Sequence, residues 1–249
     1  MGPALSQTGR AERVTRENGL RPVAFAVMSG GPYSGLTDPP RAVPTRDLVD
    51  GYLAEEEVVR EARARAAVLG ATPIGTAAGA ALCFLAATIR ARAVVEVGTG
   101  TGVSGLWLLR GMAPDGVLTS IDVDPQHQRA AREAFLAAGY GPPRLRLING
   151  MGLEVLPRLT DGGYDLVFID ATPIEYPRHL DEAVRLLRPG GLVVLDDMLR
   201  SSEGGDTAWE LADPAGRAVR EVIEQVREDE RLVSLLLPVG NGLLCALRQ

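Results

Sequence analysis

Between residues 93 and 195 the chain repeats one pattern. A short apolar run is followed by a turn, and then by a segment whose apolar residues recur every three to four positions. The runs are 93–97, 117–121, about 145–148, 164–169 and 192–195. They are rich in valine, leucine and isoleucine and largely lack polar alternation, which predicts strands buried on both faces. The helical segments between them are 103–112, 125–138, 153–159 and 175–187. Such alternation predicts a parallel sheet with helices on both faces. A further helix is expected over 214–227, after a loop at 206–213. Two last apolar runs, 232–238 and 243–247, flank Gly240-Asn241-Gly242 and read as an antiparallel hairpin. The sum is an α/β fold: a doubly wound, mostly parallel, seven-stranded sheet closed by a C-terminal antiparallel hairpin.

Upstream, 47–69 is a single helical pattern, with Val58, Val59, Ala62, Ala66 and Leu69 on one face and Glu55-Glu56-Glu57 on the wet side. Gly70 stops it, Thr72-Pro73-Ile74-Gly75 is a turn, and 76–89 is a helix of small residues able to lie close to a neighbour. Residues 1–44 are punctuated by Gly30-Gly31-Pro32, Pro39-Pro40 and Pro44 and read as an arm, extended or partly ordered, outside a domain of 45–249.

Composition narrows the function. A net charge of −6 makes a nucleic-acid backbone a poor partner. No apolar run reaches the length of a membrane span, and no leader pattern opens the chain, so a cytoplasmic protein is expected. Cys83 and Cys245 lie in apolar surroundings and read as buried free thiols in a reducing compartment. All 26 Lys/Arg residues are arginine, which removes lysine as a proton-transfer catalyst.

The chemistry gathers where strands end, because open α/β sheets bind ligands at the carboxyl ends of their strands. The first strand runs into Glu96-Val97-Gly98-Thr99-Gly100-Thr101-Gly102-Val103-Ser104-Gly105. Gly100, Gly102 and Gly105 match a dinucleotide fingerprint, so an NAD-dependent oxidoreductase is one reading. An acid at Glu96 would repel a pyrophosphate and suit a ligand ammonium, which favours S-adenosylmethionine. Asp122 ends the second strand 24 residues after Gly98 and can accept both hydroxyls of a ribose, with Asp124 the better helix cap. Asp170, Asp196 and Asp197 end the fourth and fifth strands; they read either as hard oxygen ligands for Mg²⁺ or another divalent cation, or as solvated caps. His127 reads as a surface residue. His179 reads either as a base in the cleft or as a structural histidine. Trp107 faces the core by spacing, and Trp209 either lines a pocket or covers the body.

Four segments, Val95-Glu96-Val97-Gly98-Thr99-Gly100-Thr101-Gly102, Ser120-Ile121-Asp122-Val123-Asp124, Tyr164-Asp165-Leu166-Val167-Phe168-Ile169-Asp170-Ala171 and Leu187-Arg188-Pro189-Gly190-Gly191, occur in this order. Together they resemble the S-adenosylmethionine-dependent O-methyltransferases of the catechol and caffeoyl-CoA type, and more closely a bacterial branch of them. The resemblance runs from about 47 to 249 and implies a Rossmann-like class I methyltransferase fold. It implies that Ile74, Glu96, Gly98, Thr99, Ser104 and Asp122 hold the cofactor, with Gly150 and Gly152 beside the adenine. It also implies a divalent metal at Asp170, Asp196 and Asp197, a small hydroxyl acceptor such as a phenol, and a homodimer. Two departures stand out. Asp197 replaces the family's usual asparagine, and Pro173 stands where the family's catalytic lysine would be; a metal at Asp170, Asp196 and Asp197 would make a base less necessary, and without one the base falls to Asp170 or His179. A catalytically weak cofactor-binding protein is the remaining alternative.

Overall fold

The computed structural model describes residues 45–199 and 213–249; the expected arm, and residues 206–212 of the expected loop with Trp209, lie outside them. Helices α1 (Thr45–Asp50), α2 (Glu57–Leu69) and α3 (Thr76–Thr88) precede the alternating part. There β1 (Ala93–Val97), α4 (Val103–Gly111), β2 (Val117–Asp122), α5 (Pro125–Ala137), β3 (Leu145–Asn149), α6 (Gly152–Val155), β4 (Tyr164–Ile169), α7 (Tyr176–Leu186) and β5 (Leu187–Leu195) follow in order. Helix α8 (Pro214–Glu228) and the hairpin β6 (Leu232–Leu237) and β7 (Leu243–Arg248) complete it.

The seven strands lie in the order β3-β2-β1-β4-β5-β7-β6. The first five are parallel, β7 runs antiparallel to β5, and β6 pairs with β7. This is the expected architecture, and its strand order reverses between β1 and β4. Side chains alternate across the sheet. Val94, Leu118, Leu166, Phe168, Leu192 and Val194 pack with α2–α5 on one face. Val95, Val97, Ile121, Val167, Ile169, Val193 and Leu195 pack with α6–α8 on the other. The central strands are thus dry on both sides, as their uninterrupted apolar runs require.

Two boundaries differ from expectation. The helical pattern over 47–69 is two helices, because Gly51 follows α1 at low helix propensity and Glu56 adopts an extended N-cap conformation before α2. Acidic residues there sit at the favourable positive end of a helix. Strand β5 begins at Leu187 and carries Pro189-Gly190-Gly191 inside it, with a register shift against β4 between Tyr164 and Leu166. The turn residues therefore make an irregularity within the strand. The small-residue helix α3 lies against α4: a Cβ on Gly79 would come within 2.4 Å of the Trp107 ring. Cys83 is only half-buried, and Cys245 is buried.

Candidate functional site

The glycine turn after β1 sits at the reversal point of the sheet. Gly98 takes φ +98°, and a Cβ there would stand 1.9 Å from the Asp170 carbonyl oxygen, so no side chain fits. The turn lines a cavity of about 180 Å³ together with Ile74, Thr99, Ser104, Asp122, His127 and Asp170. A second cavity of about 310 Å³ shares Gly98, Asp122 and Asp170 with it and adds Gly150, Gly152, Glu175 and His179. The two adjoin, making a cleft for an elongated ligand. A larger hollow of about 710 Å³ lies at the opposite strand ends, lined by Asp161, Arg185, Asp229 and Arg231. These four are already engaged in Arg185–Asp161 and Arg231–Asp229 ion pairs.

Asp122 is the best-braced acid of the cleft. Its Oδ2 accepts the Gly100 backbone N–H at 2.8 Å, and its Oδ1 accepts the Asp124 N–H at 2.8 Å. Asp124 in turn caps α5, accepting the Gln126 N–H at 2.7 Å ahead of Pro125. His127, expected at the surface, instead lines the cavity. The first turn of α5 carries it back over the end of β2, so that its side chain is only 17% exposed.

Glu96 does not line either cavity. Residues 96 and 120 are register partners on adjacent strands, both facing α4. Ser120 donates to one Glu96 oxygen at 2.5 Å and Ser104, at the start of α4, to the other at 2.5 Å. Thr99 and Ser120 hydroxyls meet at 2.7 Å, and Gln128 Nε2 donates to Thr99 at 2.8 Å. This closed chain ties the underside of the glycine turn to β2 and α5. Burial pushes the Glu96 carboxyl up to about 7 despite the two serine donors. Glu96 thus supports the glycine turn from beneath.

His179 is buried, with its Nε2 2.7 Å from where a Gly152 Cβ would stand. Both ring nitrogens lack a hydrogen-bond partner among the described residues. Burial, and then the Arg178 charge, lower its pKa to about 4. The ring packs against the Gly152 backbone and lines the second cavity as a weak base.

On the acceptor side, the Asp170 N–H bonds the Val97 carbonyl at 2.9 Å, fixing the acid at the mouth of both cavities. Asp196 is buried. Asp197 has φ +60°, and Asn241 of the hairpin turn donates to its Oδ1 at 2.8 Å. Tyr176, at the start of α7, is fully buried, and its phenol is held well above its ordinary range by burial and then by the charges of Asp170, Asp197 and Asp196. Among the described residues no three His, Cys, Asp or Glu side chains are grouped to hold an ion. The left-handed backbone at Asp197 and its bond to Asn241 turn that carboxylate toward the hairpin.

The O-methyltransferase family model matches residues 51–249. The chain belongs to the O-methyltransferase family. A relative from Mycolicibacterium vanbaalenii, named as an O-methyltransferase with no stated acceptor, is 53% identical over 196 residues, 79% of this chain and 86% of its own. A solved protein from Corynebacterium glutamicum superposes with a TM-score of 0.74 at 32% identity, over 82% of this chain and 95% of that one. The O-methyltransferase TomG of Streptomyces achromogenes, solved in complex with S-adenosylmethionine, gives a TM-score of 0.70 at 25% identity over 82% and 94%. The protein is thus an O-methyltransferase, and the oxidoreductase reading of Gly100, Gly102 and Gly105 falls. Sequence reasoning missed His127, Gln128 and Tyr176. For the first two a signal existed: they stand five and six residues after Asp122, within the first turn of a helix opened by Asp124-Pro125.

Proposed function

We propose that the protein transfers the methyl group of S-adenosylmethionine to a hydroxyl of a small acceptor. The observation that carries this reading is the Asp122 carboxylate. It stands at the end of β2, oriented by two backbone N–H groups, on the wall of a cleft floored by the glycine turn. A carboxylate so held takes ribose hydroxyls as donors. Ile74, Gly98, Thr99 and Ser104 line the same cavity, and Gly150 and Gly152 line the adjoining one, in support of the nucleoside and amino-acid ends of the cofactor. The TomG complex with S-adenosylmethionine supports the same choice.

In the reaction, the acceptor oxygen attacks the methyl carbon, the carbon–sulfur bond breaks, and S-adenosylhomocysteine leaves. Alignment of the two reactants supplies most of the acceleration, on the order of 7–11 kcal/mol at best. The acceptor's proton goes to Asp170, which borders both cavities; Pro173 has no proton to exchange, and His179, which lines only the second cavity, is a weak base. The acceptor enters beside Ala171, Thr172 and Glu175, which line the cleft next to Asp170.

Calorimetry with S-adenosylhomocysteine tests the cofactor assignment. Asp122→Ala is expected to weaken binding about 10- to 100-fold, the loss of a charge-assisted contact. Unchanged affinity would sink it. Methyl transfer from labelled cofactor to a panel of phenols and alcohols tests the acceptor class.

A further inference from the structure

His127 Nδ1 and Asp122 Oδ2 stand 3.6 Å apart, too far to share a hydrogen. Both groups line the smaller cavity, so polar groups of one ligand there can reach both. Each is anchored from behind. Asp122 is held by the N–H groups of Gly100 and Asp124. His127 Nε2 lies 3.4 Å from the Leu69 carbonyl at the end of α2, with Asp124 Oδ2 at 3.9 Å. A carbonyl only accepts, so the tautomer that satisfies it carries the hydrogen on Nε2 and leaves Nδ1 as an acceptor. The cleft therefore presents two acceptors side by side, a carboxylate and an imidazole nitrogen. A vicinal diol presents the complement, two O–H donors on adjacent carbons.

We propose that His127 is a second ribose-reading residue: Asp122 accepts one hydroxyl of the cofactor ribose and Nδ1 of His127 accepts the other. The inference rests on the S-adenosylmethionine reading above and adds a specificity to it. A site built to take both hydroxyls rejects a ligand that lacks either, because the abandoned acceptor is left without its partner. The Leu69 carbonyl then acts as a positioning group, holding the ring in one tautomer from the end of α2.

The test is calorimetry of S-adenosylhomocysteine and its 2′-deoxy and 3′-deoxy analogues against the native protein, His127→Phe and His127→Asn, with thermal melts confirming that each variant is folded. The native protein is expected to bind each analogue about tenfold more weakly than the parent. His127→Phe should bind the parent about tenfold more weakly and become indifferent to the loss of one hydroxyl while still rejecting loss of the other. His127→Asn, which keeps an acceptor near the Nδ1 position, should restore the lost discrimination. Full discrimination against both analogues by His127→Phe would overturn the assignment of His127 and leave the cofactor reading standing. Failure of the native protein to bind S-adenosylhomocysteine at all would overturn both.

Discussion

Two buried ionisable residues set opposing proton balances in the fold. Glu96 has its pKa raised to about 7 from an ordinary 4.5, so the folded state favours the protonated acid. Its contribution is fully present below about pH 4.5 and is lost as pH rises toward 7, a change on the order of 3 kcal/mol. His179 has its pKa lowered from 6.5 to about 4, so the folded state favours the neutral ring. Its contribution is present above pH 6.5 and is lost as pH falls toward 4. Between about 4.5 and 6.5 the two slopes oppose each other. Glu96→Gln removes one of them. In urea melts it should match the native protein at pH 5 and exceed its stability by about 2–3 kcal/mol at pH 8; an equal difference at both values would count against the buried acid. At the reacting atoms, Asp170→Asn should lower kcat by about 10²- to 10⁴-fold, the range of a lost general base, with S-adenosylhomocysteine affinity nearly intact. A kcat within twofold of native would move the base elsewhere.

At the scale of elements, the site depends on how closely α3 and α4 approach. A Cβ on Gly79 would meet the Trp107 ring at 2.4 Å, and one on Gly111 would meet the Cys83 carbonyl at 2.1 Å. Ile74, in the turn that leads into α3, lines the cleft, while Ser104 at the start of α4 holds Glu96. Gly79→Val therefore acts twice. Overpacking of about 1–3 kcal/mol should lower the melting temperature by several degrees, and displacement of Ile74 should weaken S-adenosylhomocysteine binding several-fold. Calorimetric melts with and without the ligand separate the two effects. The small-residue pattern of α3 was plain in the sequence, but its partner was not: period and residue size say that a helix lies close to something, and only the packed structure names Trp107. The boundaries moved for similar reasons. Gly51 broke one helical pattern in two, and tertiary pairing with β4 drew Pro189-Gly190-Gly191 into β5 against their turn-forming tendency.

For the whole molecule, no helix among the described residues is long and apolar enough to cross a membrane. Leu48, Tyr52 and Phe84 are exposed large apolar residues on or beside α1 and α3; we propose them as the seam of the homodimer that the family resemblance implies. Light scattering of the native protein at micromolar concentration is expected to give twice the 26.4 kDa chain mass, and Phe84→Glu should shift it to the monomer. Methyl transfer is expected to survive exhaustive chelation, because Asp197 is turned to Asn241. The sequence by itself determined the fold class, the strand ends that face the cleft, and Asp122 with its glycine turn. These follow from period, apolar runs and backbone freedom, which are local properties of the chain. Only the tertiary structure decided where each acid points and what holds it. Register with Ser120 turned Glu96 under the turn, the first turn of α5 brought His127 to Asp122, and the hairpin reached back to hold Asp197. Direction and burial of a side chain are set by neighbours distant in sequence, so spacing alone could not separate the acid that faces the cleft from the acid that supports its floor.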